Sequence, residues 1–141
     1  MLILILTATC RAGDVFGAWK ANPAHSVLPG DRKVIRIRIE PHTHGEVFTL
    51  DTVTPDGRAS TSSTILYLDG RARDLRDAGC FGTQSSRRLD DRTVEILRTC
   101  ATGERTRIVC RLTARRELVL EVNAKQADGR EVERRLVLEK E

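Results

Sequence analysis

Aromatic side chains are scarce in this chain. They make up 4% of the residues, with one Trp, one Tyr and three Phe. Aromatic rings supply the surfaces on which proteins stack bases and sugars. Lysine is scarce too, and the positive charge comes mainly from arginines that are interspersed with acids along the whole chain. These shortages argue against a nucleic-acid partner, because such proteins concentrate basic residues on one face and interleave them with aromatics.

A hydrophobic run long enough to span a membrane is also missing, since spanning takes about 20 apolar residues. The apolar run at residues 2–6 is followed by small residues up to Gly13, which is typical of what remains of a secretory signal. We therefore expect residues 1–13 to be a signal remnant and the protein to be exported, to the periplasm or the cell exterior. A lipid anchor at Cys10 and an ordinary first strand at residues 2–6 are the alternatives.

Length and composition indicate one globular domain, which we assign to residues 14–141. The chain has 141 residues, of which 40% are hydrophobic and 31% charged. That is enough for one sizeable core and too little for two. No linker, tandem repeat or low-complexity tract interrupts it.

Apolar and polar residues alternate with a period of two. Ile35, Ile37 and Ile39 share one face of a strand, and Arg36 and Arg38 share the other. Similar runs are separated by turn sequences such as Pro55-Asp56-Gly57, Asp69-Gly70 and Asp128-Gly129. The predicted strands cover residues 16–21, 33–40, 46–54, 59–68, 82–89, 93–100, 105–113, 117–124 and 130–139.

About nine consecutive strands on short connections leave two exposed edges unless the sheet closes on itself. We therefore predict an all-β fold: a single up-and-down antiparallel β-barrel of about 8–10 strands. A two-sheet sandwich is the alternative, and it would need longer crossovers. Only residues 22–31 and 71–79 are long enough to supply them.

The first strand carries a known pattern. Gly17-Ala18-Trp19 resembles the Gly-x-Trp that opens the first strand of lipocalins and fatty-acid-binding proteins. From Gly17 onward, including Pro29-Gly30 and the stretch 88–98, the chain resembles a group of small exported bacterial lipocalin-like (calycin-type) proteins of unassigned function. The resemblance implies a lipocalin-like barrel and supplies no activity.

The resemblance also implies roles for residues near the two ends of the barrel sequence. In lipocalins a late arginine packs on the Gly-x-Trp tryptophan and closes the barrel base, which implies Arg134 against Trp19 as a base plug. In fatty-acid-binding proteins the last strand carries an inward Arg-x-Tyr pair that grips a carboxylate. Leu136 and Leu138 stand at those positions here, so that family's carboxylate site is not implied.

Hairpin geometry predicts one disulfide. If residues 90–92 turn the chain, Cys80 lies within a pair or two of Cys100, so we predict a Cys80–Cys100 bridge, as export favours. The turn at 102–103 leaves Cys110 far along the next strand. Cys110 shares a face with Ile108 and Leu112 and is predicted to be a buried, unreactive thiol.

Candidate catalytic and metal-binding patterns are weak. His42 and His44 could share a metal with Glu40 or Glu46, but this turn sequence is more typical of an exposed polar loop, so we predict no metal and no cofactor. Asp90-Asp91 is interpreted as turn chemistry. With no catalytic constellation, we predict that the protein is not an enzyme.

The preferred function is a binding barrel whose interior either holds a small hydrophobic ligand or is filled by its own side chains. Small residues at 62, 64 and 85 favour some interior space. The alternative is a protein–protein module, such as a periplasmic inhibitor or an envelope-associated factor, which would act through loops 22–31 and 71–79 and have an envelope protein as its partner. The predicted interior residues are Ile35, Ile37, Ile39, Phe48, Leu50, Leu66, Leu68, Leu118, Leu120 and Val122.

Overall fold

Ten antiparallel strands form one sheet in the computed structural model, which describes residues 12–26, 34–77 and 80–141. Short 3₁₀ helices at Ala12–Val15 and Pro23–His25 flank the first strand. Among the described residues, no helix has the length and hydropathy needed to cross a membrane. The strands are β1 Gly17–Ala21, β2 Val34–His42, β3 Gly45–Val53, β4 Ala59–Leu66, β5 Arg73–Asp77, β6 Cys80–Asp90, β7 Thr93–Cys100, β8 Arg105–Leu112, β9 Glu117–Lys125 and β10 Glu131–Lys140.

The strand order is that of a nearly closed up-and-down barrel. It runs β4-β3-β2-β1-β10-β9-β8-β7-β6-β5, so every strand except β4 and β5 pairs with both of its neighbours around the barrel, and β1 joins the first half of the sheet to the last strand. The joining pairs include Trp19 with Lys140 and Ala21 with Leu138. One continuous sheet confirms the predicted barrel and removes the sandwich alternative.

The barrel has one seam, between the edge strands β4 and β5. Side chains bridge it: Gln84 Nε2 on β6 donates a hydrogen bond to Thr64 Oγ1 on β4 at 2.9 Å. The chain after β4 crosses toward β6, where the backbone N–H of Leu68 donates to Ser86 Oγ at 3.0 Å. Asp69-Gly70 was predicted to turn a hairpin, and that prediction is wrong. Asp69 instead forms an isolated bridge with Arg87 of β6.

The segment 71–79 was predicted to be a long loop, and most of it is strand β5. Four of its five residues are charged, which hides the alternation that marks the other strands. Leu75 alone supplies a buried apolar side chain. Charged side chains on an edge strand discourage pairing with another chain. This correction removes one of the two loops on which the protein–protein alternative depended. Of the other predicted loop, only residues 22–26 are described.

The main core lies where β1, β2, β8, β9 and β10 turn their inward residues toward each other. Trp19, Ile37, Leu118 and Leu138 are at most 1% exposed. Each follows the two-residue alternation of its strand, so the sequence pattern fixes which side chains enter the core. This cluster fills one end of the barrel interior.

Other predicted tight turns form as expected. The Gly57 N–H donates to the Thr54 carbonyl at 2.9 Å, and Gly57 has a φ of +86° that favours glycine. Asp90 Oδ1 accepts from the Arg92 N–H at 2.8 Å, which confirms the turn role of Asp90. The signal remnant predicted at residues 1–13 lies outside the described residues, except that residues 12 and 13 begin the first 3₁₀ helix.

Candidate functional site: the barrel interior

A cavity of about 540 Å³ lies inside the barrel. Its apolar wall is formed by inward residues of β2, β3, β8, β9 and β10. Six of the ten predicted interior residues belong to this wall, and the structure adds Ile108 and Leu136. Ligand cavities in proteins commonly measure roughly 300–1,000 Å³ and are largely apolar. The six predicted residues are Ile35, Ile37, Phe48, Leu50, Leu120 and Val122.

The other four predicted interior residues lie deeper or to the side. Ile39 and Leu118 belong to the packed core below the cavity. Leu66 packs with Val94 and Ile96 on the opposite side of the barrel, and Leu68 contacts that cluster. These four residues close the floor of the interior instead of lining its open volume.

A hydroxyl row runs along β4 on one side of the cavity. It consists of Ser60, Ser62 and Thr64, which lie on alternate residues and therefore face the same way. Ser62 stands opposite Leu50 in the β3–β4 ladder, and Thr64 stands opposite Phe48. The boundary between the apolar wall and the hydroxyl row thus falls between two adjacent strands. Of the small residues singled out in the sequence, Ser85 lies off this row and pairs with the exposed Leu97.

An arginine also faces the cavity from β7. Arg98 shares the inward parity of Val94 and Ile96, and its side chain is 23% exposed. Its Nε donates to Gln84 Oε1 at 2.8 Å, and Nη1 lies 3.5 Å from Asp77 Oδ2. Burial lowers the pKa of the Arg98 guanidinium, and the charge of Asp77 opposes that shift. The sequence signal that could have identified Arg98 is its spacing of two and four residues from Ile96 and Val94, which places all three side chains on the same face of β7.

Arg134 lines the same cavity and does not contact Trp19, so the predicted plug must be corrected. In the ladders, Arg134 pairs with Val122, whereas Trp19 pairs with Lys140, six residues further along β10. Six residues of strand span roughly 20 Å. The cation nearest the indole is Lys140, whose Nζ lies 5.5 Å from the ring centroid. Among the described residues Arg134 has no ion pair.

The opposite end of the barrel is packed and polar groups there are paired. The Trp19 Nε1–H donates to the Val15 carbonyl at 2.8 Å, so the first 3₁₀ helix is fixed to the floor. Above it Glu46, 5% exposed, accepts from Arg88 Nη2 at 3.0 Å. Cys110 is buried beside this pair, and burial, with the charge of Glu46, raises the pKa of its thiol to about 12. The predicted buried state of Cys110 is confirmed.

Two strands near the cavity are linked covalently. Cys80 and Cys100 form the predicted disulfide, with a Cα–Cα distance of 5.2 Å. Cys80 pairs with Asp77 in the β5–β6 ladder, so the bridge holds the end of β5 that carries the carboxylate partner of Arg98. Cys10 lies outside the described residues.

The remaining sequence candidates do not assemble into a site. The rings of His42 and His44 lie 5.9 Å apart, but the backbone N–H of His44 donates to Nδ1 of His42. Across the described ranges, no group of three or more His, Cys, Asp or Glu side chains is arranged to hold a metal. His42 thus accepts a turn hydrogen bond at the β2–β3 connection.

On the outer face of the sheet, Glu95 is buried between two arginines. Its carboxylate accepts from Arg87 Nε and from Arg107 Nε, each at 2.8 Å. The hydrogen bond from Arg107, followed by that from Arg87 and the charges of both, holds the pKa of Glu95 below its usual value. None of these three side chains lines the cavity, and the cluster ties β6, β7 and β8 together.

Comparison with known proteins agrees with this architecture. No protein-family model and no curated protein sequence matches the chain. Its structure is similar to that of a Schistosoma mansoni fatty acid binding protein in complex with arachidonic acid, with a TM-score of 0.57 over 92% of this chain and 98% of that chain. The two sequences are 8% identical. The likeness therefore concerns the fold: this chain is an all-β barrel of the kind seen in that fatty acid binding protein.

Proposed function

We propose that this protein is a non-enzymatic carrier or sensor that binds a small hydrophobic ligand inside its barrel. The observation that carries the proposal is the 540 Å³ cavity, whose wall of aliphatic and phenylalanine side chains lies inside a sheet that is otherwise well packed. A ligand that enters an open volume of this size removes its apolar surface from water, which contributes about 25 cal/mol of binding free energy per Å² buried.

The solved structure with a similar fold supports the proposal by analogy of architecture. That protein is a fatty acid binding protein and was solved in complex with arachidonic acid. Barrels of this general size hold either their own side chains or one small ligand. In this chain the core residues fill one end only, and the apolar wall surrounds the space that is left.

The ligand contacts in this proposal are the side chains of the apolar wall, in which Phe48 is the aromatic member. The deeper residues Ile39, Leu66 and Leu118 act as the floor, and Trp19 seals the end behind them because it is 1% exposed. In this proposal Lys140, and not Arg134, is the cation that lies over the Trp19 ring at the base of the barrel.

The experiment is displacement of a fluorescent apolar probe, anilinonaphthalene sulfonate, together with native mass spectrometry of gently purified protein. The test variant is Val122→Phe, which fills the cavity from β9, and the matched control is Asn123→Phe, which adds the same ring to the exposed face of that strand. We expect Val122→Phe to lose at least about tenfold in probe affinity, since overfilling removes the space for the probe, and Asn123→Phe to bind as wild type.

Equal binding by both variants, with far-ultraviolet circular dichroism showing both folded, contradicts the proposal. If Val122→Phe unfolds, Ile108→Phe replaces it, because Ile108 lines the same cavity from the neighbouring strand β8. Binding by a folded Ile108→Phe variant at wild-type affinity contradicts the proposal in the same way.

We also propose that the protein works in an oxidising compartment. The support is the Cys80–Cys100 bridge, because structural disulfides persist in exported proteins and are reduced in the cytosol. Thiol trapping in intact cells, followed by mass spectrometry, tests this proposal. Trapped free thiols at both positions would contradict it.

A further inference from the structure

We infer that the ligand of this cavity is an anionic amphiphile that also carries a hydroxyl or carbonyl oxygen along its apolar body. This inference rests on the proposed function, since it names the class of ligand for the same cavity. Two independent features of the lining carry it: the hydroxyl row on β4, and Arg134 on β10, which has no carboxylate partner among the residues that the structure describes.

The hydroxyl row favours a ligand that carries hydrogen-bonding atoms. Thr64 already accepts from Gln84, whereas Ser60 and Ser62 make no hydrogen bond within the described part of the chain. A hydrocarbon chain that covered these serines would take their hydroxyls out of water without giving them a partner. Such a loss weakens the binding of the chain, because each hydroxyl gives up its hydrogen bond to water and gains none.

One of these serines lies directly beside the apolar part of the lining. Ser62 is the cross-strand neighbour of Leu50, and Ser60 is two residue pairs further along the ladder, opposite Thr52. A ligand that fits both strands must therefore be apolar along one edge and carry oxygen along the other. A plain saturated chain matches the apolar wall alone.

The charges of the lining specify the sign of the ligand. Arg98 is compensated by Asp77 at 3.5 Å and bound to Gln84. Arg134 lines the cavity with no ion pair among the described residues, which leaves the lining with one positive charge in excess. A guanidinium presents paired N–H donors that match a carboxylate. Arg134 is an exposed residue on the lining, so a ligand head group there stays near water.

This arrangement differs from a carboxylate held at the inward positions nearer the end of β10. Those positions are Leu136 and Leu138, which are 8% and 0% exposed and belong to the packed core. The charged group of the ligand therefore binds at Arg134, on the side of the cavity away from Trp19, and the body points toward the floor.

The test compares stearate with positional isomers of hydroxystearate, which differ from it by one hydroxyl. Binding is measured by displacement of anilinonaphthalene sulfonate and by titration calorimetry. At least one isomer should bind about three- to tenfold more tightly than stearate, the gain expected for one net hydrogen bond. The double variant Ser60→Ala/Ser62→Ala should remove that preference without weakening stearate. Thr61→Ala is the matched control, because the Thr61 hydroxyl donates to Asp51 on the outer face.

The charge is tested with Arg134→Gln, for which Arg135→Gln on the outer face of the same strand is the control. Arg134→Gln should weaken every free acid by at least about tenfold, since the neutral glutamine amide cannot replace the charge-assisted hydrogen bonds of the guanidinium. It should leave the methyl esters unchanged, and Arg135→Gln should behave as wild type.

The outcomes separate this inference from the proposed function. If every isomer binds like stearate, or if Ser60→Ala/Ser62→Ala keeps the preference, the oxygenated class is refuted while the carrier proposal stands. Equal affinity of acids and methyl esters refutes the anionic head group. If neither the acids nor the esters bind and Val122→Phe has no effect on the probe, the carrier proposal itself fails.

Discussion

Removal of the disulfide is the perturbation whose size can be worked out most directly. In the double variant Cys80→Ala/Cys100→Ala, the strand pairs on both sides of the bridge, Asp77 with Cys80 and Gly82 with Cys100, can still form. The lost stabilisation is then mainly the freedom returned to the unfolded chain. The bridge closes a segment with a sequence separation of 20, for which loop-closure entropy gives about 3 kcal/mol at room temperature.

Equilibrium unfolding in urea measures this effect. For a chain of this size we take an m value of about 2 kcal/mol per molar urea, so the midpoint should fall by about 1.5 M. Wild-type protein unfolded in the presence of dithiothreitol should show the same shift, whereas dithiothreitol should leave the double variant unchanged. An oxidised wild type and a double variant with coincident midpoints would refute the reasoning, because they would mean that the bridge does not restrict the unfolded chain.

Three further predictions concern groups outside the cavity. Cys110 should resist iodoacetamide in the native protein at pH 8 and react on unfolding, because burial raises its thiol pKa to about 12; rapid native labelling, measured by mass spectrometry, would contradict its buried position. Arg88→Ala should destabilise the protein by about 3 kcal/mol in urea, since it leaves Glu46 charged and buried. The double variant Glu46→Leu/Arg88→Leu should recover part of that loss, and a double variant no more stable than Arg88→Ala would count against this explanation. Glu95→Gln should cost about 1 kcal/mol at pH 7, less than the roughly 1.5–3 kcal/mol of a hydrogen bond to a charged group, because both arginine partners stay about half exposed. The folded-state pKa of Glu95 is depressed, so its contribution is present above the unfolded pKa near 4.5 and is lost as pH falls through the lower folded value; a difference between wild type and Glu95→Gln that persists at pH 2 would show that the ion pairs are not its cause.

Most of the barrel was predictable because inward and outward residues alternate on its strands. β2 is the clearest case: Ile35, Ile37 and Ile39 are buried, and the arginines between them are exposed. The disulfide followed from the same regularity, since a hairpin turn at a known place fixes which residues face each other. Alternation and turn residues are short-range sequence signals. In a sheet made of consecutive hairpins these signals specify most of the strand pairs, so most of the pairing can be predicted.

β5 was not predictable from the same pattern. It pairs with β6 on one side only, and charged residues on such an edge strand discourage pairing with another chain. A strand of this kind has almost no hydrophobic periodicity to detect. The hairpin expected at Asp69-Gly70 failed for a related reason, because the turn residues are present but the chain crosses the seam instead of reversing beside β4.

The candidate site was half predictable. Alternation identified the apolar wall, but it could not separate residues that line open volume from residues such as Leu118 that are packed on all sides. That difference depends on which side chains from non-adjacent strands meet across the interior, which no local pattern records. The inward face of Arg134 was predicted correctly, but its contact with Trp19 was not. The distance between these two residues is set by the register between the first and last strands, which the sequence pattern does not reveal.

The seam between β4 and β5 gives this barrel a slot in its wall. A barrel that is laddered all the way round can change its girth only by shearing or separating hydrogen-bonded strands. Here the girth can change at the slot, where Gln84 and Thr64 supply a side-chain link in place of a backbone ladder. The barrel can therefore widen at this slot while the nine ladders between the described strands stay hydrogen-bonded.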